Sequence, residues 1–155
     1  MPVHHEQRRL PWRADQLYDL VADVGTYPEF IPWCMAARIR KREGDVFWAD
    51  LVIGFKMFRE RFTSKVVLTP GEQIDVSYTN GPFKRMQNRW MFIPQDDGSC
   101  LVDFDIDFEF RSIVLQKAIG VLFHEAVRRM VGAFETRARE LYGPGVASNE
   151  QGDSI

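Results

Sequence analysis

The strongest constraint on the fold is a long amphipathic segment near the C-terminus, residues 112–141. Apolar side chains recur there every three or four positions, with one gap at Arg137, and charged side chains mostly take the opposite side. This spacing predicts one α-helix with a wide apolar face, begun by Ser112 and ended by Gly143. At ~1.5 Å per residue it would be roughly 45 Å long. Such a helix needs a broad apolar surface to lie on.

Composition shows that the rest of the chain can supply that surface. Apolar residues are 45% of the 155, with twelve Phe and four Trp, so we expect one domain over residues 1–143 and a disordered tail over 144–155. The net charge of -2 gives no overall attraction to DNA. Cys34 and Cys100 are expected to be free thiols. We see no leader segment and no spanning helix, so we expect a cytoplasmic protein, at most in peripheral contact with the inner face of the cell membrane.

The spacing of apolar residues before residue 33 differs from the spacing after it. Residues 3–10 predict a short first strand, residues 11–24 a helix stopped by Gly25, and residues 27–32 one further helical turn. From 33 to 110 the apolar period is mostly two, which predicts about six more strands. The economical arrangement is an α+β fold in which a curved antiparallel sheet of about seven strands wraps around the C-terminal helix, with two short helices after strand 1.

The last two predicted strands have a register that satisfies both faces of a hairpin. Large apolar side chains meet on one face and opposite charges meet on the other. The predicted partners are Trp90 with Phe104, Phe92 with Val102, Arg89 with Asp105 and Arg85 with Glu109.

Polar residues that could carry chemistry have simpler explanations. Asp103, Asp105 and Asp107 line one side of one strand and are expected to form a solvated outer face. His4 and His5 point to opposite faces, with no Cys or acidic cluster to complete a ligand set. His124 is expected at the surface, and no nucleotide or hydrolase motif is present. We therefore expect neither an enzyme nor a metal site.

The apolar inner face is larger than one helix needs to cover, which leaves two interpretations. In the first, the inner face closes into a solid core. In the second, the sheet leaves a gap at one end with residues 30–33 at its mouth, and this gap suits a lipid-like ligand. The residues predicted to line this cavity are Phe30, Trp33, Leu51, Ile53, Phe55, Phe62, Val76, Tyr78, Trp90, Phe92, Phe104, Ile119, Phe123 and Met130.

Basic residues gather in the middle of the chain. Lys56, Arg59, Arg61 and Lys65 surround residues 57 and 58. They form either an ordinary charged hairpin or a tip suited to an anionic membrane or to RNA.

Several segments resemble a known family. Leu17–Val24 and Tyr27–Cys34, the latter reading YPEFIPWC, are similar to the opening of the coenzyme Q-binding START-like proteins, which include the bacterial ribosome-association toxin. Gly81–Phe83 and Met130–Ala138 agree with it. The resemblance implies a helix-grip fold of the polyketide cyclase/START superfamily, and an internal cavity that binds ubiquinone without catalysis or a cofactor.

The resemblance leaves two main roles open, besides an enzyme that uses the cavity for cyclisation or hydration, as in other members of the wider superfamily, for which the sequence offers little support. One is a ubiquinone carrier or chaperone that supports cellular respiration, with Tyr78, Asn88 and Trp90 as candidate headgroup donors. The other is a toxin that binds a ribosomal subunit and blocks subunit joining.

Overall fold

The computed structural model of the protein describes residues 3–55, 58–120 and 123–145, without the side chains of Phe55, Phe58 and Ile119. Seven strands and three α-helices make up these residues, and the predicted α+β class is confirmed. The strands are β1 Val3–Leu10, β2 Cys34–Glu43, β3 Val46–Phe55, β4 Phe58–Thr69, β5 Gln73–Asn80, β6 Phe83–Pro94 and β7 Cys100–Phe110. The helices are α1 Ala14–Ala22, α2 Ile113–Gly120 and α3 Phe123–Tyr142, with a 3₁₀ helix over Val24–Glu29.

All seven strands form one antiparallel sheet in the order β1-β7-β6-β5-β4-β3-β2. Alternation turns Phe47, Val66 and Phe104 to one face, here called the inner face, where they are buried. The predicted β6–β7 register is confirmed at all four pairs. Trp90 and Phe104 touch with ring centroids 4.5 Å apart, so aromatic contact fixes the inner side of this hairpin.

The N-terminal helices cover one end of the inner face. α1 buries Leu17, Leu20 and Val21, and its Tyr18 ring meets Phe92 edge-on with centroids 6.0 Å apart. The predicted turn after α1 begins earlier than residue 27, because Thr26 N–H donates to the Asp23 carbonyl and starts a 3₁₀ helix.

The described residues are helical on both sides of residues 121 and 122, over most of the segment in which one helix is predicted. The structure describes two helical segments, α2 and α3, and residues 121 and 122 between them lie outside the described residues. The Ser112 hydroxyl caps α2 by accepting from Leu115 N–H at 3.1 Å. At the other end Gly143, with φ +79°, donates to the Arg139 carbonyl and ends α3.

Most of the predicted apolar stripe of α3 is buried, through Phe123, Val127, Met130 and Phe134, whereas its last residue, Leu141, is 51% exposed. The stripe lies against the inner face, where the Phe134 and Trp90 rings are 5.1 Å apart. No helix within the described ranges is long and apolar enough to span a membrane. Residues 146–155, most of the predicted tail, lie outside the described residues.

Candidate functional site

The sheet and α3 do not close completely on each other. Between them lies a cavity of about 220 Å³, which we call the central cavity. One water molecule needs ~10–15 Å³ by the same measure, so the space is large enough for an organic ligand. Its wall is formed by Val24, Tyr27, Ile31, Trp33, Leu51, Ile53, Gly54, Phe62, Ser64, Val66, Val76, Phe83, Met86, Asn88, Trp90, Ile106, Phe108, Phe110, Phe123, Ala126, Val127, Met130 and Phe134.

Eight of the fourteen residues predicted to line a cavity lie in this wall. They are Trp33, Leu51, Ile53, Phe62, Val76, Trp90, Phe123 and Met130. The side chains of Phe55 and Ile119 lie outside the described residues. The structure places the other four, Phe30, Tyr78, Phe92 and Phe104, elsewhere. None of the fourteen is yet tested against a ligand.

Phe92 and Phe104 were predicted at the cavity but lie at the end of the sheet that α1 covers. There they border a separate void of only about 20 Å³ together with Leu17 and Val21. Phe104 is 2% exposed and sits under Trp90. They belong to the closed core because α1 fills the space above them.

Phe30 and Tyr78, also predicted to line the cavity, make their contacts outside its wall. The Phe30 ring packs on Phe134 with centroids 5.2 Å apart, and the Arg137 guanidinium lies 5.3 Å above its centroid. The Tyr78 hydroxyl donates to the Gly81 carbonyl, which turns it toward the β5–β6 turn. Residues 30–33 thus contribute Ile31 and Trp33 to the wall, while Phe30 packs against α3.

Several wall residues were missed by the prediction although their alternation could have found them. Ser64, Met86, Ile106 and Phe108 share strand faces with predicted residues. Phe83 gave a weaker signal, because it opens β6 directly after the tight turn at Gly81. There φ is +146° and an added Cβ would lie 2.5 Å from Phe62 Cβ.

Polar groups of the wall are mostly engaged within the protein. Trp90 Nε1 donates to Asn88 Oδ1 at 3.0 Å, and Asn88 Nδ2 donates to the Asp105 carbonyl at 2.8 Å. The Tyr27 hydroxyl donates to the Val21 carbonyl, and burial raises the pKa of Tyr27 well above its usual range. Tyr78, Asn88 and Trp90, our candidate headgroup donors, therefore each donate a hydrogen bond within the protein, and the Asn88 amide has one further N–H.

Apart from the Tyr27 phenol, the described wall of the cavity has no titratable side chain. Within the described residues its wall carries no carboxylate, imidazole, amine or thiol side chain. Cys34 and Cys100 are free and buried, as expected for thiols that take part in packing. Burial raises the pKa of each thiol to about 11, so neither is an ionised nucleophile at neutral pH.

The histidines lie away from the cavity wall. His4 Nδ1 and His124 Nδ1 are 3.1 Å apart, which joins β1 to α3. The expectation that His5 would have no acidic neighbours is wrong, because its Nε2 lies 2.8 Å from Asp103 Oδ1 and Asp105 is close by. The pKa of Asp103 is lowered by its hydrogen bonds from Gln7 and His5, which together outweigh the opposite effect of its burial. This cluster lies on the outer face.

The outer face of the sheet is divided by charge. Strands β2–β4 carry six cations, here called the basic patch: Arg38, Arg40, Lys41, Arg59, Arg61 and Lys65. Trp48 lies among them, with Lys41 Nζ 5.3 Å and Lys65 Nζ 5.9 Å from its ring centroid. β7 carries the aspartates, partly paired with Arg85, as expected for a solvated face. Lys56 and Met57 lie outside the described residues, as does the Phe58 side chain.

A second surface lies beside the cavity on α2. Ile113 and Val114 are 72% and 74% exposed, while the next residue, Leu115, is buried. Arg111 and Lys117 flank the pair, and residues 110–120 contain no acidic residue. We call Arg111, Ile113, Val114 and Lys117 the α2 patch. Its position is fixed, because Arg111 Nε donates to the carbonyl of the wall residue Phe83.

Residues 10–135 match the family model described as polyketide cyclase / dehydrase and lipid transport. The chain belongs to this family. It is 37% identical over 141 residues to the ribosome association toxin RatA of Pseudomonas aeruginosa, covering 90% of this chain and 98% of that protein. It is 34% identical over 144 residues to the mitochondrial coenzyme Q-binding protein COQ10 homolog B of Xenopus laevis, covering 90% of this chain and 59% of that protein.

The fold agrees with this membership. A START superfamily protein from Mycobacterium smegmatis superimposes with a TM-score of 0.78 at 21% identity, covering 90% of this chain and 98% of that one. The resemblance seen in the sequence and the predicted helix-grip fold are both confirmed. The family includes proteins named for coenzyme Q and proteins named for the ribosome.

Proposed function

We propose that this protein binds ubiquinone or a similar isoprenoid lipid in the central cavity and carries it in support of respiratory electron transport. The observation that supports the proposal is the cavity itself, a mostly apolar space of about 220 Å³ whose described wall carries no carboxylate, imidazole, amine or thiol side chain. An apolar ligand suits this wall, because its binding there removes apolar surface of both ligand and protein from water. Each buried methylene contributes ~0.8 kcal/mol, so even partial enclosure of an isoprenoid tail gives useful affinity.

Binding is favoured over catalysis by the same wall. A cyclase or dehydratase acting here would need a proton donor or acceptor beside its substrate. The wall's hydrogen-bonding groups include Tyr27, Asn88 and Trp90, all engaged with the protein. The raised thiol pKa of Cys34 argues against a nucleophile next to Trp33.

Delivery of such a lipid requires contact with a membrane, and we propose that the protein meets an anionic cytoplasmic membrane surface through the α2 patch. Ile113 and Val114 can enter the interface while Arg111 and Lys117 meet the headgroups. Arg111 of the patch follows the wall residue Phe110 in the chain and is bonded to the carbonyl of the wall residue Phe83, so a lipid would have a short path between bilayer and cavity.

The first test is mass spectrometry of the organic extract from protein purified out of cells that make ubiquinone. Val76→Trp, in the wall, fills the cavity, whereas Val67→Trp makes the same change on the outer face. We expect near-stoichiometric quinone in the wild type and in the outer-face variant, and little in Val76→Trp. If the wild-type extract is empty and the protein takes up no added decylubiquinone, the proposal is wrong.

One observation favours a second candidate function, the binding of a ribosomal subunit that blocks subunit joining. The basic patch carries six cations on the outer face of β2–β4, of which Lys41 Nζ and Lys65 Nζ lie 5.3 Å and 5.9 Å from the Trp48 ring centroid. Asp50 and Glu43 form ion pairs with Arg40 and Lys41. Such a surface suits a phosphate backbone and an unstacked base. The two functions use opposite faces of the sheet, so variants can separate them.

A further inference from the structure

One lining residue of the central cavity, Trp33, has a buried hydrogen-bond donor without a partner among the described residues. Trp33 Nε1 is buried, and no acceptor lies within hydrogen-bonding distance of it among the described residues. Buried donors in folded proteins nearly always have a partner, so each exception calls for an explanation. Trp33 is also a wall residue of the cavity.

The position of this indole is set by backbone bonds. The Trp33 carbonyl accepts from Gly54 N–H at 2.9 Å, which ties the residue to the end of β3. On either side, Ile31 N–H donates to the Tyr27 carbonyl and Cys34 N–H donates to the Ile31 carbonyl. The ring is therefore anchored beside the cavity, and its unpaired N–H is not a consequence of a loose segment.

The other polar side chains of the wall do not select a ligand in the same way. Tyr27, Asn88 and Trp90 donate within the protein. The Ser64 hydroxyl can donate or accept and so accommodates either kind of group. An indole N–H can only donate.

We propose that Trp33 Nε1 donates a hydrogen bond to a carbonyl oxygen at the polar end of the bound lipid. This rests on the proposed lipid-binding function and adds a requirement to it. The ligand must carry an acceptor at its head, as a quinone does, and that head lies at the Trp33 end of the cavity beside Ile53 and Gly54. Trp33 thereby distinguishes a quinone-type lipid from a plain hydrocarbon.

The test compares two ligands on the delipidated full-length chain. Decylubiquinone has ring carbonyls, and dodecylbenzene has a ring and a tail but no oxygen. Trp33→Phe keeps an aromatic ring and removes the N–H, and Trp48→Phe on the outer face is the control. We expect Trp33→Phe to weaken decylubiquinone binding by roughly three- to tenfold, the loss of one hydrogen bond, and to leave dodecylbenzene binding unchanged.

An independent readout is the indole N–H region of the ¹H–¹⁵N spectrum, where the variant spectra assign Trp33 and Trp48. Decylubiquinone should move the Trp33 signal downfield and dodecylbenzene should not. Equal losses for both ligands in Trp33→Phe, or no loss for either, would overturn the role of Trp33 while leaving lipid binding intact. A wild type that binds neither ligand would overturn the proposed function and this inference together.

Discussion

At the scale of single residues, burial decides which groups can react. Both thiols are buried, and Cys34 Sγ lies 3.7 Å from the Ala36 carbonyl oxygen, to which it donates. Removal from water disfavours the thiolate, which is why burial raises the pKa of each to about 11. An unfolded cysteine ionises near ~8.5. Reactivity toward an alkylating reagent therefore reports on the fold.

We expect iodoacetamide to modify Cys34 and Cys100 at least a hundredfold more slowly in the folded protein than in urea at pH 7.5, measured by intact-protein mass spectrometry. Because the folded pKa lies above the unfolded one, the folded state binds more protons in between. The free energy of unfolding should then fall as the pH rises from ~8.5 toward 11. A thiol that reacts equally fast with and without urea would contradict its burial and reopen a nucleophilic role.

Single residues also show where sequence reasoning succeeded and failed. Alternation places Leu51, Phe62 and Val76 on the inner face without ambiguity, because one shifted residue would expose the whole set. It does not show which part of that face a helix covers. Phe92 and Phe104 have the same pattern as Trp90, yet α1 closes over them.

At the scale of elements, hairpin register was predictable because both faces of β6 and β7 constrain it. The outer pairing is less specific, since Arg89 lies opposite Asp105 in register but donates to Asp75 on β5 at 3.2 Å. The apolar period of the C-terminal segment continues across residue 120, so the sequence alone does not show that Ile113 and Val114 are exposed while Leu115 is buried.

The α2 patch gives an element-scale prediction. Ile113→Ser with Val114→Ser should reduce binding to vesicles that contain anionic lipid by roughly tenfold, since two exposed apolar side chains are lost. Leu141→Ser, a 51% exposed residue at the far end of α3, is the control and should bind as the wild type does. Cosedimentation with vesicles at fixed salt measures both. Equal binding by the double variant would show that another surface meets the membrane.

At the scale of the whole molecule, the sheet separates an apolar cavity on one face from a charged surface on the other. Its inner face and α3 enclose an apolar cavity, and the β2–β4 half of its outer face presents cations. The β7 part of that outer face carries Asp103, Asp105, Asp107 and Glu109, partly balanced by Arg85 and Arg89 of β6, so the net charge of -2 conceals an uneven distribution. A partner that carries phosphates would meet the basic half and be repelled from the acidic half.

This asymmetry yields a prediction that separates the two candidate functions. Arg59→Glu with Arg61→Glu reverses the centre of the basic patch, and Arg9→Glu with Arg13→Glu makes the same change in charge elsewhere on the surface. If a ribosomal subunit is a partner, the first variant should cosediment more weakly with subunits and show a shallower dependence on salt, while the control should not.

Quinone uptake should be the same in both charge variants, because their side chains lie outside the cavity wall. Subunit binding should likewise survive Val76→Trp if the two faces act independently. Should Val76→Trp abolish subunit binding while the protein stays folded, the cavity and the basic patch would be coupled, and lipid occupancy would control the partner. If the wild-type protein does not cosediment with subunits even at low salt, the ribosomal function is wrong, and lipid binding is the function that stands.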